Sequence, residues 1–357
     1  MVDPIKISFG MIVLNGEPFL RYNLRALYPR AHQIVVVEGA CPSAVAIATP
    51  DGHSTDGTLE TLRAFQSEED PEGKVVVVTA PDEGHRDGFW PGKDDMSRAY
   101  ARRATGNYLW QVDSDEFYQE EQFPRLLELL ARERPDAVSF PMLTFWGDTR
   151  YVTNSFYLIR DNAREYHRLF AWGPGYSYAT HYPPTVLDGS GVDARRKKWF
   201  RARHLEKKGI FLYHYSLLFP HQVFNKASYY KAHLKNDMDT WEDVVYRRLE
   251  KPFRTHNVYH HIGWLERFDG IHPAAVMAMM ADIEAGKIDV ETRDCADVER
   301  LVSDTRYGMA CRMLSLLARI LSYRPIYLVY KICMGLKNRV GRMFDPAHGK
   351  AKYDFGR

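Results

Sequence analysis

The chain has 357 residues, 45% of them hydrophobic, which is enough to bury a large core as one large domain or a domain with an appendage. Its 48 Lys and Arg against 46 Asp and Glu leave a net charge of +2, which excludes the strong basic excess of a nucleic-acid binder. Four cysteines, Cys41, Cys295, Cys311 and Cys333, form no C-x-x-C pair and no dense framework, so reduced thiols and a cytoplasmic location are expected.

Residues 1–6 lack a basic stretch leading into a long apolar run. No segment has the ~20 uninterrupted apolar residues of a membrane span. Residues 5–14 predict a buried strand and residues 17–27 a helix, with Pro18 tolerated in its first turn. Residues 33–38 (QIVVVE) predict a second strand. Ser54-Thr55-Asp56-Gly57 signals a helix start, and residues 58–65 continue it. Residues 74–79 (KVVVVT) are a third strand, 94–104 a helix, and 107–112 (NYLWQV) a fourth strand ending directly at Asp113. Apolar strands alternating with helices predict an α/β fold, a mostly parallel central sheet with helices on both faces. Ligands of such sheets bind beyond the carboxyl ends of the strands. Asn15, Glu38 and Asp113 all follow strand ends and are expected to line one crevice.

Residues 135–233 are rich in Tyr, Trp, Gly and Pro. They are expected to complete the sheet and build a wall of the site, with a strand at 210–215 and a helix at 223–234. Residues 236–304 are expected to form a helical extension. The stretch 305–344 carries eight Lys or Arg and no acidic residue, interleaved with apolar clusters. Such a basic amphipathic tail suits an anionic membrane surface, or else packs on the core with its basic face in water.

The sharpest chemical signal is Asp113-Ser114-Asp115-Glu116. An apolar strand delivers two carboxylates, spaced i and i+2, to the ligand edge. Carboxylate oxygens are hard ligands for Mg²⁺ or Mn²⁺, which bridge diphosphate oxygens. A bare D-x-D also serves as a solvated turn, and the strand before it is what strengthens the metal reading.

The first 120 or so residues resemble family-2-like glycosyltransferases of the GT-A fold. The matching pieces are Ile12-Val13-Leu14-Asn15-Gly16-Glu17, Val35-Val36-Val37-Glu38, Asp51-Gly52-His53-Ser54-Thr55-Asp56-Gly57-Thr58, Ala104-Thr105-Gly106-Asn107-Tyr108-Leu109 and Asp113-Ser114-Asp115-Glu116. One departure is the dozen residues 39–50 between Glu38 and Asp51, where the family runs straight on. Asp51 and Asp56 are therefore read either as site residues or as helix caps. The resemblance implies a catalytic domain over 1–235, its nucleotide-binding half to about 120 and its acceptor half from 121, with the basic tail at 305–357. It also implies a nucleotide-sugar donor, with a UDP-sugar favoured, a glycan or lipid-linked acceptor, and a divalent metal. By the same match Asn15, Glu17 and Glu38 face the nucleotide, while Asp113 and Asp115 hold ribose and metal.

His214, in Tyr213-His214-Tyr215-Ser216, lies about 100 residues beyond the D-x-D, where the family places a third metal ligand, and imidazole suits Mn²⁺. Its rivals are His221, His233, His260 and His261. An inverting transfer needs a base for the acceptor hydroxyl. The order of the family points to Asp188, ahead of His181, Asp161 and the later Glu242-Asp243. A turn residue before Gly189-Ser190-Gly191 is the plainer reading of Asp188. Among Lys93, Arg98, Arg201, Arg203, Lys207 and Lys208, Lys93 is the one chosen to meet the diphosphate. No G-x-G-x-x-G follows the first strand, which argues against a dinucleotide enzyme. The remaining alternative is a non-catalytic sugar- or nucleotide-binding relative of the same fold.

Overall fold

Short apolar runs form strands, and four of them build the first half of the sheet. In the computed structural model they are β1 (Ile7–Val13), β2 (Gln33–Glu38), β3 (Val75–Val78) and β4 (Tyr108–Gln111). The structure describes residues 4–160, 165–234, 241–255 and 262–323, with 325, 326, 328, 329 and 332 beyond; for 230–234 it gives only the helical backbone. The four strands are parallel in the order β3-β2-β1-β4.

Side chains alternate across this sheet, so each strand feeds two cores. Phe9, Val36 and Trp110 face one side, under α1 (Leu20–Leu27), α2 (Thr58–Glu68) and, beyond β4, α4 (Gln122–Glu133). Val35, Val37 and Leu109 face the other, under α3 (Lys93–Arg103). Trp110 is fully buried between Phe9 and Phe140, and its truncation to Ala would cost about 3–5 kcal/mol.

Beyond β4 the pairing changes. The short β5 (Glu116–Phe117) leads to β6 (Ala137–Trp146), β7 (Asp148–Ser155) and, after α5 (Phe156–Arg160), β8 (Glu165–Ala171). β8 runs antiparallel between β4 and β6, and β7 is antiparallel to β6. A separate ribbon joins β9 (Ser177–Thr180) and β10 (Thr185–Leu187). Then come β11 (Trp199–Phe200), α6 (Ala202–Glu206), β12 (Leu212–Leu217) and α7 (Pro220–Leu234). β12 runs parallel to β6 and antiparallel to β5.

The segment expected to be a helical extension also supplies a strand. β13 (Gly263–Arg267) pairs antiparallel with β7, covering an edge whose N–H and C=O groups would otherwise be unpaired. Three helices follow, α8 (Ala274–Glu284), α9 (Ala296–Ser303) and α10 (Thr305–Ser322). α10 seats Tyr307 and Cys311 against Trp264. Cys41, Cys295 and Cys311 are free and buried; Cys333 lies outside the described residues. Among the described residues no helix is long and apolar enough to cross a membrane.

Candidate functional site

After β1 the chain moves outward to β2 and β3, then returns to β4 on the other side of β1. The strand order therefore reverses between β1 and β4, the place where α/β sheets open a crevice. Asn15 and Asp113 lie just past those two strand ends, as predicted.

Asp113 opens a tight turn, with the Glu116 N–H donating to the Asp113 carbonyl at 3.0 Å. The turn passes into β5, which pairs with β12 so that His214 stands opposite Glu116. The Tyr215 N–H reaches the Asp115 carbonyl at 2.9 Å. This register brings His214 Nε2 to 3.5 Å from Asp115 Oδ1. Burial would raise the Asp115 carboxyl, but His214 and then Lys226 hold it below its ordinary range. Two of the three expected metal ligands thus face each other, and the third begins the same turn.

Sequence reasoning missed Arg168. It comes from β8, next to β4, and its guanidinium is nearly buried. Nε donates to Glu116 Oε1 at 3.1 Å and Oε2 at 2.9 Å, and Nη2 reaches Asp113 Oδ2 at 3.2 Å. The fully buried Glu116 in turn accepts the Asp113 N–H at 3.3 Å, so the pair fixes the D-x-D turn from beneath. Burial raises the Glu116 carboxyl, with Arg168 opposing. No sequence signal marks Arg168, because its partners are 52 and 55 residues away.

Two of the three residues expected at the nucleotide wall have their polar groups occupied within the protein. Glu38 is fully buried and saturated: it accepts the Ser54 N–H and Oγ–H at 2.8 Å each and meets His53 Nδ1 at 2.7 Å. It holds the 53–54 segment in place and exposes no oxygen to a ligand. Asn15, in the left-handed region at φ 56, donates to the Ile47 carbonyl at 2.7 Å and accepts the Thr55 N–H at 2.8 Å. It ties the inserted residues 39–50 to the same wall. Asp56 takes the capping reading, accepting from Thr58 N–H at 3.1 Å and from the Glu17 N–H at 3.0 Å. Asp51 bonds only Thr49 Oγ1 locally, at 2.7 Å. Gly52 and Gly88, both with positive φ, touch backbone to backbone; a Cβ on Gly52 would come 2.2 Å from the Gly88 carbonyl. Glu17 alone of the three keeps a free group: its Oε1 is buried without a partner, and burial raises its carboxyl. It borders a cavity of about 700 Å³ lined also by Arg21, Tyr22, His221 and Lys287.

Asp188 is not at this edge. In the β9–β10 ribbon Leu187 pairs with Ser177 at one end, while His181 follows the other end. Four residues of extended chain separate them by about 13 Å. The end with Asp188 lies toward the start of β4: Gly189 packs on Gly175, shortly after Trp172, whose N–H bonds the Asn107 carbonyl at 3.0 Å. The Asp188 carboxylate is also closed, accepting the Ser190 and Val192 N–H groups at 2.8 and 2.9 Å and pairing with Lys197, which drives its pKa down to about 2. It is a turn clamp, as the D-G-S-G spelling suggested.

His181, the weaker candidate, is brought in. Its backbone N–H donates to Asp94 at 2.6 Å and Nδ1 meets Ser97 Oγ at 2.9 Å. Burial pushes its pKa down to about 4; Asp113 opposes this, and Lys93 and Arg168 reinforce it. Lys93 opens α3 and sits 4.1 Å over the Tyr229 ring. Arg98 and Arg201 are paired with Asp95 and Glu165. Glu242 and Asp243 pair with Arg247 and Arg248. His221 Nε2 meets the Glu17 carbonyl at 3.2 Å. Asp161, His260 and His261 lie outside the described residues, as does the side chain of His233.

Among the described residues no three His, Cys, Asp or Glu side chains converge as a closed metal cluster. The donor chemistry nevertheless suits a hard divalent cation: a carboxylate and an imidazole nitrogen 3.5 Å apart, with a second carboxylate two residues away.

Residues 8–182 match the family described as Glycosyl transferase family 2. No curated protein matches the chain. Among solved structures, residues 1–349 of S. aureus TarS are 13% identical, with a TM-score of 0.38, covering 70% of this chain and 77% of that one. A further S. aureus TarS structure gives 15% identity and a TM-score of 0.30, covering 47% of this chain and 28% of that one. Glucosyl-3-phosphoglycerate synthase from Mycobacterium tuberculosis, in complex with Mn²⁺, UDP-glucose and phosphoglyceric acid, gives 18% identity and a TM-score of 0.28, covering 40% and 44%. The chain thus spans under half the length of the latter two.

Proposed function

We propose that the glycosyltransferase family 2 domain which this chain carries over residues 8–182 transfers a sugar from a nucleoside-diphosphate donor, a UDP-sugar first, to an acceptor hydroxyl. The observation that carries this reading is the Asp113-Ser114-Asp115 turn at the reversal of strand order, with His214 registered beside it. Asp113, Asp115 and His214 would hold a Mn²⁺ or Mg²⁺ ion, which when bound neutralises charge on the departing diphosphate. Arg168 and Glu116 keep the turn rigid and Glu17 borders the donor side. His181 replaces Asp188 as the candidate base of an inverting transfer: it follows the end of the β9–β10 ribbon away from Asp188, and burial favours its neutral imidazole.

The acceptor reading is a glycan or lipid-linked hydroxyl at a cell-envelope surface, and α10 supports it. Met309, Met313, Leu316 and Ile320 are 46–60% exposed and fall within an arc of roughly 60°. The buried Tyr307, Cys311 and Ala318 lie opposite, and Arg306, Arg312 and Arg319 flank the apolar stripe. That is the pattern of a helix lying in an anionic interface.

The test is a donor screen by thermal shift and by product formation across UDP-, GDP- and dTDP-sugars, with Mn²⁺, Mg²⁺ or EDTA. Wild type should bind one donor class and Asp115→Ala should lose metal-dependent turnover while staying folded. Failure of every nucleotide sugar to bind would reject the reading. A retained anomeric configuration by NMR would reject inversion alone.

A further inference from the structure

Where β13 closes the edge of the sheet, it leaves a cavity of about 550 Å³ against α9 and α10. The walls are Leu265, Glu266 and Arg267 of β13, Val302 of α9, and one side of α10. None of these residues belongs to the D-x-D site. Helical geometry fixes what α10 presents there: Gly308, Arg312, Ser315 and Arg319 all line the cavity and fall within an arc of about 60°. That arc adjoins the exposed apolar stripe of Met309, Met313, Leu316 and Ile320. Leu316, 59% exposed, belongs to both, so the cavity opens at the edge of the stripe with Arg312 and Arg319 along the boundary.

The polar groups of the inner wall are already occupied. Glu266 accepts the Trp264 indole N–H at 2.6 Å and the Asn154 amide at 3.2 Å. Arg267 pairs with Glu299, and the Tyr307 hydroxyl accepts the Leu265 N–H at 2.8 Å. Arg312 and Arg319 differ: among the described residues neither guanidinium makes an ion pair or hydrogen bond. Ser315 stands between them on the same face, one turn from each, so all three can turn to one point. Gly308 supplies the room. No left-handed backbone calls for glycine there, and a Cβ would meet no heavy atom of a neighbour within 4 Å.

The ligand that matches is both anionic and apolar. A phosphate ester offers a guanidinium the paired oxygens that its planar fork bonds best. Chains attached to that phosphate would leave the cavity along the stripe of α10. A free phosphate would use the arginines and leave the stripe in water, whereas a neutral lipid would cover the stripe and leave the arginines unpaired. We propose that the cavity between β13 and α10 is a headgroup site for one anionic phospholipid, with Arg312 and Arg319 on its phosphate and the α10 stripe against its acyl chains. This rests on the membrane reading of α10 above and goes beyond it, because binding becomes stoichiometric and depends on the cavity as well as on surface charge.

The experiment is calorimetric titration of the full chain with dihexanoyl phosphatidylglycerol, held below its micelle-forming concentration so that no surface is present. Wild type should bind a single equivalent. Arg312→Gln/Arg319→Gln should lose about 10-fold or more in affinity, as expected when charge-assisted contacts are removed. Arg300→Gln/Arg306→Gln removes as much charge from residues outside the cavity wall and should stay within about threefold, since charges that do not touch the phosphate are screened. Gly308→Leu keeps every charge and the whole stripe but fills the cavity, and should lose affinity as the first pair does. Glycerol phosphate, a headgroup without chains, should bind far more weakly than the lipid. Unchanged thermal unfolding confirms the fold of each variant. No saturable binding by wild type, equal losses in the two double variants, or full affinity in Gly308→Leu would overturn the headgroup site. Glycerol phosphate binding as tightly as the lipid would overturn the lipid as its occupant. Flotation separates this from the reading beneath it: wild type that floats with anionic vesicles but binds no monomeric lipid loses the site alone, and wild type that does neither loses the membrane reading as well.

Discussion

Arg168→Met is the most informative single perturbation of the site, because the structure fixes both its size and its pH dependence. The substitution removes the one cation bonded to Glu116, which is fully buried. Leaving half of a buried pair costs about 3–5 kcal/mol. Glu116 has an escape, however: it can take up a proton. Protonating a carboxyl with an ordinary value near 4.3 costs about 1.4 kcal/mol per pH unit above that value, hence about 3.7 kcal/mol at pH 7 and about 1 kcal/mol at pH 5. In the variant the folded state holds a proton that the unfolded state releases, so stability falls as pH rises above ~4.3. Urea unfolding at pH 7 should therefore show a loss of roughly 3–4 kcal/mol relative to wild type, shrinking to about 1 kcal/mol at pH 5. Adding Glu116→Leu should recover most of it, since neither partner is then left charged. A loss below about 1 kcal/mol at pH 7, or one that does not change with pH, would refute the idea that this pair anchors the D-x-D turn.

Glu38→Ala should destabilise by about 2–4 kcal/mol and expose the 52–58 segment to hydrogen exchange, because it leaves the Ser54 donors buried without their acceptor; unchanged protection of Ser54 would contradict this. Asp188→Asn should leave turnover within about twofold while lowering the unfolding temperature, whereas a hundredfold fall in turnover would return it to the role of base. His167 and His181 have folded pKa values pushed down to about 3 and about 4, both by burial first. Their stabilising neutral forms are fully present above the unfolded value of ~6.5 and are lost as pH falls from there toward 4 and then 3, so His181→Gln should flatten the upper part of the acid limb in urea titrations. Flotation with phosphatidylserine vesicles should carry wild type and lose Met313→Glu/Leu316→Glu, with no difference on neutral vesicles; equal flotation of both proteins would leave α10 an ordinary solvated helix.

The first half of the fold was legible because a parallel strand buried on both faces is spelled as an uninterrupted apolar run, and QIVVVE became β2 residue for residue. β4 is the predicted strand 107–112 shortened to Tyr108–Gln111, so that it ends two residues before Asp113. His214 was readable only through the resemblance, and its place beside Asp115 depends on the pairing of β5 with β12. What was not legible is what long-range contacts decide. Glu38 reads as a strand-end ligand until Ser54, sixteen residues later, saturates it. Asp188 shows the opposite failure: its local spelling, D-G-S-G, described an Asx-type turn correctly, and the order of residues in the family drew attention away from it. β13 escaped because its five residues carry too little periodicity to distinguish strand from loop.

The charges around the D-x-D turn explain why those hidden residues matter. Asp113, Asp115 and Glu116 place three carboxylates within four positions, a repulsive arrangement in a partly buried crevice. Arg168 compensates Glu116 and one oxygen of Asp113 from below, through direct hydrogen bonds that fix geometry. His214 acts on Asp115 through a looser contact, 3.5 Å from Nε2 to Oδ1. Arg168 is spent on holding the turn, and the His214 imidazole with its looser contact is left for a ligand.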